Sequence, residues 1–230
     1  RDIYEVGSGY VYTIGNQEAG QIIDFQLVQE RARVAAQSVA LAHNEYAFVG
    51  GSGVSGGVST ITGFLNDGNV NIGKAAAGDF AIADDDWTTV TGANAYLTVT
   101  QLIHQVNTQS SGLHSVTDVV MTTFTGNLIA QTLLNSAASS QTVLSALRQN
   151  YPDITFHISA SGTGRGAAGI DRCVAYTRRS DLVEYVASVI WDEAAPDKSG
   201  FRYTVQGRGK MAGTIVRYPL SLAYADITIA

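Results

Sequence analysis

The sequence predicts an α+β fold, with helices early and strands late instead of a regular alternation. Three observations carry this prediction. Residues 21–49 hold neither Gly nor Pro in a chain with 24 Gly, and their apolar residues recur every three or four positions. Residues 93–107 repeat that helical spacing. From residue 182 to the end, nearly every segment alternates or runs apolar like a strand.

Taken in order, residues 1–14 alternate Tyr4/Val6 and then Tyr10/Tyr12/Ile14, with Gly7 and Gly9 between them. This reads as a strand with a Gly-rich bend. No partner for it is visible in the sequence, so it is expected to pair with a preceding N-terminal segment or with another subunit. The chain does not open on Met and is in strand pattern by Ile3, which points to a preceding segment.

The long helix places Phe25, Val28, Ala32, Ala35, Val39, Ala42, Tyr46 and Val49 in steps of three and four. Gly20 precedes it and Gly50-Gly51 ends it. At about 1.5 Å per residue it is about 40 Å long. The mean globular helix has only about 11–12 residues, so this one is a candidate spine.

Residues 50–73 carry eight glycines and read as loop and turns around short strands, anchored by Phe64, Leu65 and Val70. Residues 74–92 are small and acidic, with Asp84-Asp85-Asp86 before Trp87. In 93–107, Tyr96, Val99, Ile103 and Val106 form the inner face. Asn94, Thr98, Gln101, Gln105 and Thr108 form the outer one, and Thr91 is the expected N-cap. Residues 118–124 read as a buried strand. Ser140 is the expected cap of a helix over 141–149, with Val143, Leu144 and Leu147 inward and Asn150 and Pro152 as the stop. Strands follow at 154–160 and 171–177, joined by a Gly-rich turn, then at 182–191. A turn is expected at Pro196-Asp197, then strands at 201–206 and 214–229, broken near Pro219.

Length fits one large domain or two small ones: the chain has 230 residues. Hydrophobic content of 45% supports a packed core. Charged residues make up only 15% and the net charge is −6, a poor match to the basic surface that tight nucleic-acid binding needs. The polar surface must be rich in Ser, Thr, Asn and Gln, which is easy to bury against copies of itself. The one cysteine, Cys173, excludes an intramolecular disulfide. No apolar run has transmembrane length and no signal peptide is visible.

Catalytic motifs are present only in outline. Gly53-Val54-Ser55-Gly56-Gly57 fits G-x-S-x-G, but the strained strand-to-helix turn that exposes such a serine is not predicted there. Gly164 to Gly169 fits G-x-G-x-x-G, but a strand and not a helix follows it, so it reads as the tip of a hairpin. His43, His104, His114 and His157 lack metal-ligand spacing, and His43 reads as a helix-surface residue. Asp84-Asp85-Asp86 lacks the later Gly and Glu of a calcium loop and reads as a solvated turn. No cofactor is expected.

Three segments in order carry a resemblance. Tyr4-Glu5-Val6-Gly7-Ser8-Gly9-Tyr10 with Tyr12-Thr13-Ile14 precedes the spine. Gly63-Phe64-Leu65-Asn66 follows it. Arg217-Tyr218-Pro219-Leu220-Ser221-Leu222-Ala223-Tyr224-Ala225-Asp226 closes the chain. Together they resemble a family of phage and prophage major capsid proteins similar to those of the Hong Kong 97 type. The resemblance implies that residues 1–16 are the returning strand of an E-loop. Residues 17–114 and 181–230 would form the P-domain, and 115–180 the A-domain with its tip near a five- or six-fold axis. The N-terminal arm and the outgoing E-loop strand of the family are absent from this sequence. Residues 1–16 also carry no lysine for the covalent crosslink that some members make.

The expectation is therefore a virion structural protein that self-assembles, as pentamers and hexamers, into an icosahedral shell enclosing phage DNA. Tyr4, Val6, Tyr10 and Tyr12 are the candidate assembly contacts. The resemblance implies scaffold, protease, portal and decoration proteins as further partners. DNA contacts would be weak and without sequence specificity, no membrane is involved, and assembly would take place in the bacterial cytoplasm. Two alternatives stand beside it: an encapsulin-like nanocompartment of the same fold, and a small α/β serine hydrolase using Ser55.

Overall fold

The computed structural model describes residues 3–16, 18, 27–52, 60–75, 78–135 and 140–229. In chain order the elements are β1 (Tyr4–Thr13), α1 (Leu27–Phe48), β2 (Gly50–Ser52), β3 (Thr60–Thr62), β4 (Ile72–Lys74), β5 (Phe80–Ala81) and α2 (Gly92–Gln109). Then come β6 (Asp118–Met121), α3 (Thr123–Gln131), α4 (Val143–Asn150), β7 (Thr155–Ile158) and β8 (Asp171–Tyr176). The chain ends with β9 (Val183–Glu193), β10 (Asp197–Ser199), β11 (Arg202–Val216) and β12 (Leu222–Ile227). They form two compact units, Arg1–Gly63 with Tyr185–Thr214 and Phe64–Glu184 with Ile215–Ala230. No helix among the described residues is long and apolar enough to cross a membrane.

In the first unit, β1, β11 and β10 lie side by side, and β9 also pairs with β11. The leading strand is therefore not alone, contrary to the sequence expectation. β1 pairs antiparallel with β11 along its whole length, from Tyr4 opposite Met211 to Thr13 opposite Arg202. The partner is hidden in the sequence because Gly207 and Gly209 read as breaks. Both instead permit close approach within a 15-residue strand. A Cβ on Gly207 would stand 1.9 Å from the Trp191 ring, and one on Gly209 would stand 2.3 Å from His43 Nε2.

The spine helix is continuous from Leu27 to Phe48; the predicted residues 21–26 lie outside those described. It buries Ala35, Val39 and His43, one residue per turn. His43 thus belongs to the buried stripe and is not a surface residue. The predicted turn at Pro196-Asp197 moves to Gly200-Phe201, where Gly200 takes φ +63° and links β10 to β11 with Ser199 opposite Arg202.

The second unit is built on a six-stranded sheet in the order β5-β4-β12-β8-β6-β7. All six residues of β12 are buried, as expected for a strand covered on both faces. Against the sheet pack Val99, Leu102, Ile103 and Val106 of α2, Ile129 of α3, and Val143, Leu144 and Leu147 of α4. Thr91 caps α2 as predicted, accepting from Asn94 N–H. Thr98 departs from its predicted outer face. It is buried, and its hydroxyl donates to the Asp84 carbonyl at 3.0 Å and accepts from Asp84 N–H at 3.1 Å.

Three further expectations are corrected. The strand predicted over 118–124 stops at Met121, because the Thr122 side chain accepts from Thr125 N–H and starts α3. The cap of α4 is Thr142, whose side chain accepts from Ser145 N–H, and not Ser140. Residues 160–170 are not a hairpin tip, since β7 pairs with β6 in parallel and β8 lies on the other side of β6. The chain crosses the end of β6 through two short 3₁₀ turns, at Ala160–Gly162 and Ala167–Gly169.

Candidate assembly surface

Successive residues of β1 point to opposite faces of the sheet. Tyr4, Val6, Tyr10 and Tyr12 share one face with their opposites Met211, Gly209, Val205 and Tyr203. This is the face α1 packs on, since Val39 and His43 approach Gly209. All four candidate contacts are consequently half-buried within the subunit. The Tyr12 and Tyr203 rings stack with centroids 5.0 Å apart. Tyr10 donates to the Glu193 carboxylate, and burial together with that carboxylate pushes its phenol up to about 12. Arg31 of α1 donates to the Val11 carbonyl.

The other face is charged. Arg208 lies between Asp192 at 3.1 Å and Glu5 at 3.9 Å, and Lys210 reaches Glu5 at 3.6 Å. Above Gly7 and Gly9, Glu5, Asp192 and Arg208 border an open depression of about 680 Å³. Exposed ion pairs of this kind add little stability, typically about 0–1 kcal/mol. The unit also presents Leu41, Ile190 and Phe201, each at least 70% exposed.

The closing motif of the sequence forms a buried polar node in the second unit. Asp226, fully buried, accepts from Arg172 Nε at 2.6 Å and Nη2 at 2.8 Å. It also accepts from Ala167 N–H at 3.0 Å. Arg172 Nη1 donates to the Leu65 carbonyl at 2.8 Å, and the guanidinium lies 4.8 Å from the Tyr224 ring centroid. Tyr224 donates to the Phe64 carbonyl at 2.6 Å, and burial pushes its phenol upward. The node thus joins Phe64-Leu65 to Tyr224-Ala225-Asp226, two of the three segments that carry the resemblance. It also fixes the Gly-rich segment: Gly164 N–H donates to Asp171 at 3.0 Å, and a Cβ on Gly166 would stand 2.9 Å from the Asp226 carboxyl carbon. Arg172 is not legible from sequence as part of the site. The one signal for it is its place, beside Asp171, at the head of a strand that continues apolar, where a buried charge requires a partner.

The outlined catalytic motifs gain no support from the geometry. Ser55 lies outside the described residues. No group of three or more potential metal ligands occurs among the described residues. His157 pairs with Asp118 at 2.7 Å, His104 meets the Tyr151 hydroxyl at 3.2 Å, and His114 is buried. Cys173 is buried and its thiol is pushed up to about 11 by desolvation, which makes it inert as a nucleophile at neutral pH.

A long helix on a sheet of long strands in one unit, and a mixed sheet with helices in the other, make up the fold of Hong Kong 97-type capsid proteins. The capsid of Myoviridae phage XM1 matches with a TM-score of 0.81 at 21% identity, over 98% of this chain and 73% of that one. The capsid of an empty GTA particle matches with a TM-score of 0.61 at 13% identity, over 98% and 74%. A virus-like particle from Pyrococcus furiosus matches at 0.59 and 9%, over 98% and 78%. None of the curated proteins matches. The family model described as major capsid protein matches residues 1–227, and the chain belongs to that family. It is a structural protein of the virion shell, not an enzyme.

Proposed function

We propose that this chain builds an icosahedral shell of pentamers and hexamers around phage DNA. In this reading residues 1–16 act as the returning E-loop strand, 17–114 and 181–230 as the P-domain, and 115–180 as the A-domain. The observation that carries it is the match of nearly the whole chain to the capsid family together with the XM1 capsid fold. Large apolar side chains left at least 70% exposed, Leu41, Ile190 and Phe201, support burial against other copies. Tyr4, Val6, Tyr10 and Tyr12 are half-buried already. Their part in assembly is to hold β1 flat against β11, so that its outer edge meets a neighbour in one register. The weak net charge of −6 suits DNA enclosed but not gripped. Scaffold, protease, portal and decoration proteins are the further partners of this reading, and the bacterial cytoplasm is its place of assembly.

The test is sedimentation and electron microscopy of particles from phage-producing cells, with nuclease treatment before and after disruption. Closed shells holding nuclease-resistant DNA support the reading. Closed shells that hold protein cargo and no DNA favour the nanocompartment alternative instead.

A further inference from the structure

The contact between α1 and the sheet of the first unit contains a buried group left without a partner. His43 is 6% exposed. Its Nδ1 lies 2.8 Å from the Tyr185 hydroxyl, which is also 3.5 Å from Met211 Sδ. Its Nε2 is buried with no hydrogen-bond partner among the described residues. The ring fills the space that glycine leaves at 209. A Cβ there would stand 2.3 Å from Nε2, 2.7 Å from Val39 Cγ1 and 3.0 Å from the Ile190 carbonyl oxygen.

A neutral imidazole suits this slot, since Nδ1 alone needs a partner in one tautomer and Nε2 is then an unprotonated lone pair. A protonated ring must donate from both nitrogens. Its Nε2–H would face Val39 and the backbone of Gly209 and Ile190, none of which Nε2 hydrogen-bonds in this geometry, in a site closed to water, which is costly for a charge.

Neither ring nitrogen of His43 is paired with a carboxylate among the described residues. From β9 the ionisable group facing His43 is Tyr185, and from β1 the same face carries Tyr4 and Tyr10, the latter bound to Glu193. Of the charged residues of these strands, Glu5, Asp192, Arg208 and Lys210 sit on the opposite face and pair with one another, and Glu184 pairs with Arg217. Glu193, on the His43 face, is taken by Tyr10, whose opposite residue on β11, Val205, is four residues from Gly209. On α1, Glu45 is exposed. Glu30, Arg31 and Arg33 lie about three turns away.

We propose that His43 is a proton-sensitive latch: neutral, it seats α1 in the Gly209 slot, and protonated, it releases this stretch of α1 from β9 and β11. Burial holds the imidazole below its ordinary range, in agreement with the geometry. The sign follows from linkage. The released state binds a proton with an ordinary pKa of about 6.5, while the seated state resists it. The seated state therefore keeps its full advantage above about pH 6.5 and loses it as pH falls. At pH 5 the released fraction rises by up to about 30-fold, which is one plus ten to the power of the pH difference of about 1.5. The latch belongs to the folded subunit and does not depend on the shell reading.

The experiment is hydrogen exchange of α1 amides in the full chain between pH 7.5 and 5, corrected for intrinsic rates, with α2 and α4 as internal references. An NMR titration of the His43 ring accompanies it. The expected result is a fall in protection of about ten- to thirty-fold around His43, absent in His43→Gln, with the ring titrating below its ordinary range. Protection that stays flat in the wild type, an equal fall in His43→Gln, or a ring that titrates near 6.5 overturns the latch. If His43→Gln does not fold, the wild-type exchange and ring titration decide between the same two outcomes. Particle formation at neutral pH is scored separately, so a failure to assemble counts against the shell reading and leaves the latch standing.

Discussion

Replacing Asp226 by alanine leaves a guanidinium buried without its counter-charge. The side chains of Arg172 and Asp226 are 9% and 0% exposed and meet at 2.6 Å. Truncating one partner of such a pair costs about 3–5 kcal/mol, most of it the penalty of the stranded charge. Asp226→Ala also removes the acceptor of Ala167 N–H, while Arg172 keeps its bond to the Leu65 carbonyl. The double variant Asp226→Ala with Arg172→Met removes both charges. It should be less destabilised than the sum of the single variants by about 2–3 kcal/mol. Urea unfolding of unassembled protein measures this in a Trp191→Phe background, because Trp87 is then the remaining tryptophan and lies buried in the second unit. Single effects that add within about 0.5 kcal/mol, or an Asp226→Ala cost below about 1 kcal/mol, would refute the claim that this pair organises the second unit.

Gly209→Val should destabilise the first unit by at least about 1–3 kcal/mol, since even its Cβ overlaps His43 and Val39; urea unfolding followed by Trp191 in a Trp87→Phe background checks this. Cys173 should resist iodoacetamide at pH 8 in the native protein and react at once in urea, and comparable native and unfolded rates would contradict its burial and raised pKa. Ser55 should not react with a fluorophosphonate probe, and labelling that is lost in Ser55→Ala would reinstate the hydrolase reading.

Periodicity reveals those parts of the fold that bury one face. The spine helix, the cap at Thr91 and the inward Val143, Leu144 and Leu147 all follow from local spacing and capping chemistry. Where the structure depends on contacts distant in sequence, local rules misread it. Gly207 and Gly209 look like breaks because their reason for being glycine is a Trp191 ring and a helix far away in sequence. The β-branched residues before Phe124 hide the start of α3, which a threonine cap decides. His43 stands four residues from Val39 and eight from Ala35, so the helical period does signal its burial, while its polar type argues the other way. The strand β1 carries its alternation openly; its pairing with β11 is concealed by those same glycines. The Arg172–Asp226 pair lies in two buried strands, and the local pattern of neither strand gives a sign of the partner in the other.

Whether this subunit forms a shell with the fold described is decided by electron cryo-microscopy of the protein at high concentration. Closed shells are expected, with subunits that show an uninterrupted helix from Leu27 to Phe48 and a six-stranded sheet with β12 between β4 and β8. Protein expressed from its whole reading frame that stays monomeric at every concentration and salt tried, with no shells in phage-producing cells, would contradict that expectation.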